Sequence, residues 1–116
     1  MIRVKRVYET PAKDDGFRLL VDRLWPRGLT KERASVDLWM KEIAPTDALR
    51  KWFGHEPEKW PEFEKRYRKE LAEKKDLLNE IRKLESKHKL VTLLYGRNDE
   101  EQNQAVVLAD ALKRKR

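Results

Sequence analysis

The residue types best suited to chemistry stand together at positions 21–28, which read Val-Asp-Arg-Leu-Trp-Pro-Arg-Gly. Asp22 offers a carboxylate that could serve as a general base, a polar anchor or a magnesium ligand. Arg23 and Arg27 offer guanidinium forks, which bind carboxylates and phosphates through paired hydrogen bonds. Trp25 could form one wall of a pocket. Because an apolar Leu-Leu-Val run comes just before these polar groups, we expect them where a buried strand ends.

Structural roles compete with each of these assignments. Consecutive strand residues point to opposite faces, so a strand that continued through Asp22 and Arg23 would keep them out of one shared pocket. Each would then form a structural ion pair. A Pro-Arg-Gly turn around Arg27 can also simply reverse the chain. A tryptophan beside a proline, as at Trp25, most often contributes to packing. Of the two guanidiniums, we expect Arg27 to be the better anion ligand.

A second polar cluster follows the apolar run at residues 90–95. Tyr95 ends that run, and Arg97 and Asn98 precede a predicted helix whose N-terminus could bind an anion. Three acidic residues at 99–101 oppose this, because they load the first turn with negative charge. The amide of Asn103 could face the same cleft or lie on the surface.

The remaining candidate is His55, which lies in a predicted loop and could act as a general acid or base. The chain has one other histidine, so no zinc motif is present. It has no cysteine, which excludes thiol nucleophiles, disulfides and cysteine-based metal sites. No phosphate-binding glycine loop or nucleophile elbow occurs. We assign no metal-binding residues; whether the protein needs a metal, and which cofactor it uses, stay unknown.

The elements that must position these residues alternate between strand and helix. Strands are predicted at residues 2–8, 17–24, 36–43 and 90–95, and helices at 30–34, 46–53, 58–89 and from 99 onward. Thr30, Thr46 and Asn98 are the expected N-caps, with Glu101 completing a capping box after Asn98. The helix at 58–89 would span about 45 Å if straight, so we expect a bend near Glu73–Asp76.

This order of elements predicts one α/β domain over residues 1–116, with a small, mainly parallel sheet flanked by helices. Ligands in such sheets bind beyond the carboxyl ends of the strands. The cluster around Asp22 and the cluster around Tyr95 both follow strands. We therefore expect them to form one site.

Charge and hydropathy bear on partners and location. The net charge is +7, and four of the positive charges lie in the tail Lys113–Arg116. Such a tail could contact nucleic-acid phosphates, although a terminal basic segment is more often a solvated end. The charged helix at 58–89 could serve a protein partner if its apolar stripe were exposed. No apolar run approaches the roughly 20 residues of a membrane span, and the N-terminus lacks a signal-peptide core. These features predict a cytoplasmic protein.

Several motifs resemble the YeaO-like proteins, an uncharacterised family within a larger domain-of-unknown-function group. The resemblance covers nearly the whole chain and is most specific at Val21–Gly28. It also includes Tyr8-Glu9, Asp15-Gly16, Trp39 with Lys41-Glu42, Ala44-Pro45-Thr46, Leu49-Arg50-Lys51, Leu93-Leu94-Tyr95, Gln102-Asn103 and Ala105-Val106-Val107-Leu108.

The resemblance implies an α/β sheet with an aspartate on its second strand. Many members of the larger group carry a cysteine after the last strand and a Cys-His-Arg segment in the following helix. In this chain Tyr95 stands at the first of these positions, and Asn103-Gln104-Ala105 stand at the others. No thiol or histidine role can therefore be carried over to it.

These observations predict a protein that binds a small anionic ligand or acts as an enzyme at the carboxyl ends of its strands. Asp22 would be the anchor or base, and Arg27 and Arg97 would clamp the anion. Tyr95 and Asn103 would orient the ligand through hydrogen bonds. The alternatives are a nucleic-acid-associated module that uses the basic tail and a protein-interaction domain. The ligand, the reaction and the oligomeric state stay unassigned.

Overall fold

A computed structural model describes residues 1–114, so Lys115 and Arg116 of the basic tail lie outside the described residues. Four parallel strands form one sheet in the order β1-β4-β2-β3. They are β1 (Ile2–Arg6), β2 (Phe17–Leu20), β3 (Leu38–Trp39) and β4 (Val91–Tyr95). The predicted α/β fold with a parallel sheet is confirmed.

The strand register brings the carboxyl ends of the two central strands to one edge of the sheet. Leu20 of β2 pairs with Leu94 of β4, and Arg6 of β1 pairs with Tyr95. The chain therefore leaves β2 and β4 side by side. The segments that begin at Val21 and Gly96 start next to each other, as the positions of the two polar clusters predict.

Within the described residues, five α-helices lie around the sheet: α1 (Lys31–Ala34), α2 (Asp47–Phe53), α3 (Trp60–Ala72), α4 (Lys75–His88) and α5 (Gln104–Arg114). The hydroxyl oxygens of Thr30 and Thr46 accept hydrogen bonds from the backbone N–H groups three residues later, so both predicted caps are confirmed. The long predicted helix is interrupted at Glu73–Lys74, between α3 and α4, within the predicted bend.

Two apolar cores cover the two faces of the sheet. The larger core lies under α4 and α5; α3 packs on both of these helices, and α2 packs on α3. The smaller core joins β2 and β4 to α1 and to the aromatic rings of Trp25 and Trp39. Five apolar residues of α3 and α4 are buried, and Trp60, Leu77 and Leu84 are partly buried against the same core, so these helices do not present the exposed stripe that a protein-interaction function would have needed. The five buried residues are Phe63, Tyr67, Leu71, Leu78 and Ile81. Within residues 1–114, no helix has the length and apolar character to cross a membrane.

Two strands are shorter than predicted by four residues or more, whereas β1 ends two residues early, at Arg6. β2 ends at Leu20 rather than at Leu24, because the ladder stops once Val21 N–H has bonded to the Leu94 carbonyl. The next N–H of the neighbouring segment, that of Gly96, binds the Asp22 carboxylate at 2.8 Å instead of a backbone carbonyl. In the predicted strand 36–43, only Leu38–Trp39 pair with β2, and Lys41–Ile43 form a 3₁₀ turn.

The predicted start of the last helix is wrong. Asn98 does not cap α5; Asn103 does, since its Oδ1 accepts a hydrogen bond from Val106 N–H at 3.0 Å. The acidic stretch before it forms a loop, in which Asp99 Oδ1 accepts from the backbone N–H groups of Glu101 and Gln102. Glu101 therefore takes no part in a capping box, and α5 begins about five residues later than expected.

Candidate functional site

A cavity of about 290 Å³ lies at the carboxyl edge of the sheet, and we refer to it as the carboxyl-edge cavity. Three parts of the chain line it: the segment after β2, the region from the end of the 3₁₀ turn through α2, and the segment after β4. Phe63 of α3 and Gln104 of α5 complete the lining. The lining residues are Asp22, Arg23, Leu24, Ala44, Pro45, Arg50, Lys51, Phe53, Gly54, His55, Phe63, Arg97 and Gln104.

Asp22 is the only carboxylate in the lining, and the protein holds both of its oxygens. Gly96 N–H donates to Oδ2 at 2.8 Å, and the Gln104 side-chain amide donates to Oδ1. Burial raises the pKa of Asp22 to about 6, even though these hydrogen bonds favour the charged form. A side chain at position 96 would place its Cβ 2.9 Å from Oδ2, so a glycine is required for this contact.

Arg23 lines the same cavity as Asp22, contrary to the expectation that they would point to opposite faces. The reason is that β2 has already ended at Leu20, so strand alternation no longer applies. Arg23 donates from Nε to the Pro45 carbonyl at 3.0 Å and from Nη2 to the Ala44 carbonyl at 3.1 Å. Of its five N–H groups, these bonds use two.

The helix α2 supplies two further cations. Arg50 and Lys51 lie in its last turn, and both contact the exposed carboxylate of Asp47, at 2.7 and 3.2 Å. Exposed ion pairs of this kind contribute about 0–1 kcal/mol to folding stability, so an anion in the cavity can compete with Asp47 for both cations. The helix ends at Gly54, whose left-handed conformation turns the chain toward the cavity.

Arg97 stands against an aromatic wall. Its guanidinium carbon lies 4.5 Å from the centre of the Phe53 ring, a cation–π contact. Phe53 in turn stacks on Phe63, with ring centres 4.5 Å apart. Burial lowers the pKa of Arg97, but a guanidinium stays charged in proteins. The cavity therefore combines a half-buried positive charge with an apolar surface.

His55 also lines the cavity, as its loop position suggested. It has a φ of +63°, a left-handed conformation that histidine tolerates better than most residues. Burial lowers the pKa of His55, and the positive charges of Arg97 and Arg50 lower it further. These effects favour the neutral imidazole, which can both donate and accept a hydrogen bond.

Of the nine predicted site residues, the structure brings Asp22, Arg23, His55 and Arg97 to this cavity. Arg27 is exposed in the turn after Pro26 and is absent from the lining; its carbonyl accepts a hydrogen bond from the Tyr8 hydroxyl. Asn98 is exposed and also outside the lining.

The other three predicted residues have structural positions. Trp25 donates its indole N–H to the Leu29 carbonyl at 2.7 Å and packs against Trp39. Tyr95 is buried in the larger core, with 2 % of its surface exposed. Asn103 is fully buried as the cap of α5, so it neither faces the cavity nor lies on the surface.

Sequence reasoning missed Arg50, Lys51 and Gln104 as site residues. The sequence did contain a signal for Arg50 and Lys51, because they lie in a helix whose start is marked by the N-cap Thr46. Gln104 carried a weaker one, since the resemblance aligned it with a histidine of the larger group. Its contact with Asp22 joins residues 82 positions apart, so only the folded chain shows it.

No described residues form a cluster of three or more histidine, aspartate or glutamate side chains that could hold a metal. A second cavity of about 280 Å³ lies between α3, α4 and α5, lined in part by Arg68, Lys75 and Arg82. None of the predicted site residues lines it. The carboxyl-edge cavity is therefore the candidate site.

The comparison with protein families identifies the family of this chain. The profile described as "Inactive DUF488-N3 subclade" matches residues 1–116. The chain belongs to the DUF488-N3i family. This confirms the resemblance to the YeaO-like proteins, because YeaO of Escherichia coli K12, itself uncharacterised, is 43 % identical over 112 residues, which cover 97 % of this chain and 96 % of YeaO.

The family extends to mycobacteria. An uncharacterised protein of Mycobacterium tuberculosis H37Rv is 42 % identical over 111 residues, which cover 96 % of this chain and 92 % of that protein. A Mycobacterium bovis protein, also uncharacterised, matches to the same extent. No solved structure matches this DUF488-N3i chain significantly.

Proposed function

We propose that this protein binds a small anionic ligand in the carboxyl-edge cavity and does not catalyse a reaction there. The observation that carries the proposal is the charge of the lining. Four cationic side chains from three separate segments surround one cavity that contains a single carboxylate. They are Arg23, Arg50, Lys51 and Arg97.

Two of these cations form no salt bridge with the described residues, and Asp99 acts on Arg97 only from a greater distance. Among residues 1–114, no carboxylate oxygen lies within 4 Å of the Arg23 or Arg97 guanidinium. A cation that is partly removed from water without a counter-charge is costly to hold. An anionic ligand would supply the missing counter-charge, and guanidinium forks suit carboxylates and phosphates.

The polar contacts around Asp22 support binding rather than catalysis. Both of its oxygens accept hydrogen bonds from the protein, and the partner at Oδ1 is the amide of Gln104. An amide does not titrate near neutral pH, so it cannot pass a proton to or from Asp22 as a histidine could. The absence of cysteine and the family description as inactive support the same conclusion.

Binding of inorganic phosphate to matched arginine variants tests this proposal. We expect Arg97→Gln to weaken phosphate binding at least about tenfold, the usual effect of losing a hydrogen bond to a charged group. Arg27→Gln removes the same charge from a residue outside the cavity and should change the dissociation constant less than about twofold. Isothermal titration calorimetry at low salt measures both.

Two results would overturn the proposal. One is the absence of saturable phosphate binding by the wild-type chain. The other is an equal loss of affinity in the two variants, because that would mean that net charge alone, rather than the cavity, attracts the anion.

A further inference from the structure

The carboxyl-edge cavity has a second property besides its charge, namely an apolar part. Five of its lining residues are apolar: Leu24, Ala44, Pro45, Phe53 and Phe63. An inorganic anion makes no use of such a surface. Binding pockets for organic molecules, in contrast, combine apolar walls with a few polar groups that fix orientation.

The volume of the cavity also exceeds what a simple anion needs. A water molecule occupies about 30 Å³ in the liquid, so 290 Å³ corresponds to roughly ten water molecules. A five-atom anion such as inorganic phosphate would leave much of this space to water.

Leu24 is the most informative apolar residue, because 59 % of its surface is exposed although both neighbours are anchored. Arg23 is bonded to the carbonyls of Ala44 and Pro45. Trp25 is bonded to the Leu29 carbonyl. The backbone thus holds the Leu24 side chain at the cavity in an exposed position, which preorganises it for contact with a ligand.

We infer that the ligand is an amphipathic anion, in which a phosphate or carboxylate group is joined to a small aromatic or similarly apolar body. This inference rests on the proposed anion binding and adds the chemical class of the ligand. The anionic group would meet the cations of the lining. The apolar body would cover Leu24 and the edges of Phe53 and Phe63.

Two phosphate monoesters provide a matched test. Phenyl phosphate and methyl phosphate carry the same anionic group, with about two negative charges each at about pH 8, and differ in the apolar body. We expect phenyl phosphate to bind the wild-type chain at least about tenfold more tightly than methyl phosphate does, since its ring removes more apolar surface from water. Titration calorimetry of the full chain gives both constants.

The variant Leu24→Asn shows whether the preference arises at this surface. Leu24 is exposed, so the variant should fold, and circular dichroism with a thermal melt checks this. We expect the ratio of the two dissociation constants, and with it the preference for phenyl phosphate, to fall to about threefold or less.

The outcomes separate the inference from the proposed function. If both esters bind with equal affinity, or if Leu24→Asn leaves the preference intact, the inference is overturned while anion binding stands. If neither ester nor inorganic phosphate binds, the proposed function fails, and the inference fails with it.

Discussion

At the scale of single residues, Asp22 is the clearest example of a group whose environment changes its chemistry. It follows a buried strand, and its oxygens bind a backbone N–H of the neighbouring loop and a side-chain amide of α5. Its own carbonyl accepts the indole N–H of Trp39 at 2.7 Å. The residue thus ties β2, β3 and β4 together at the edge where the cavity opens.

The raised pKa of Asp22 predicts how folding stability depends on pH. A carboxyl whose folded-state pKa exceeds its unfolded value of about 3.8 stabilises the folded state below that value. This contribution is lost as the pH rises through about 6. In Asp22→Asn the titration is absent. The free energy of unfolding of the variant, minus that of the wild type, should therefore increase by about 3 kcal/mol between pH 3 and pH 7.

Urea denaturation of both chains across this pH range checks the prediction. The comparison with Asp22→Asn cancels the other titrating groups that the two chains share. A difference that stayed constant with pH, or that fell as the pH rose, would show that Asp22 does not have a raised pKa in the folded protein.

At the scale of elements, α2 is the part of the fold on which the site most depends. This seven-residue helix supplies Arg50, Lys51 and Phe53 to the cavity. Its cap, Thr46, accepts a hydrogen bond from Leu49 N–H, and its hydroxyl donates to Glu70 of α3 at 2.7 Å. The position of three site residues therefore depends on one threonine and on its contact with a neighbouring helix.

Two threonine caps allow a matched test of this dependence. Thr46→Ala and Thr30→Ala each remove a cap, and each should lower the free energy of unfolding by about 1 kcal/mol. Only Thr46→Ala should also weaken phosphate binding, by about threefold, because α1 supplies no residue to the cavity. Thermal melts and calorimetry measure the two effects. An equal change in affinity would indicate that global stability, rather than the position of α2, controls binding.

At the scale of the whole molecule, the positively charged residues occur in two settings: along the helices, and around the carboxyl-edge cavity. Many cations on the helices pair with acidic residues three or four positions away, such as Arg66 with Glu62 and Arg68 with Glu64. Such pairs keep the surface locally balanced and contribute about 0–1 kcal/mol each. The cations of the cavity stand out from this background because four of them, from three separate segments, line one cavity together with a single carboxylate among the described residues.

Lys113, where the basic tail begins, does not line the cavity. Lys113 lies nine residues after Gln104 on α5, a distance of roughly 13 Å along the helix axis. Deleting residues 113–116 should therefore leave the dissociation constant for phosphate within about twofold at physiological salt, where charges are screened beyond about 8 Å. If the tail does contact nucleic acid, the same deletion should abolish salt-dependent binding to DNA and RNA. A tenfold loss of phosphate affinity would mean that the tail, and not the cavity, holds the anion.

Much of the fold follows from local patterns in the sequence. The run Leu19-Leu20-Val21 predicts a strand buried on both faces, and the two threonine caps and the bend after Ala72 mark helix boundaries. These signals involve residues within one or two turns of one another, so they act before the chain has a tertiary structure. The cap of α5 was predicted wrongly because Asn98 and Asn103 carry the same local signal, and the Asp99 turn, which decides between them, is a contact of the folded loop.

The sequence by itself determined the α/β class, the order of elements and the expectation that polar groups meet beyond β2 and β4. Only the tertiary structure decided which of those groups share a cavity. Arg27 and Tyr95 have suitable chemistry but point elsewhere, whereas Arg50, Lys51 and Gln104 are brought in from distant positions. The physical reason is that β2 ends at Leu20, and Val21 N–H makes the last backbone hydrogen bond to β4. The next N–H of the neighbouring segment, that of Gly96, binds the Asp22 carboxylate instead of a backbone carbonyl. Asp22 and Arg23 therefore do not alternate between faces as strand residues do, and both line the cavity.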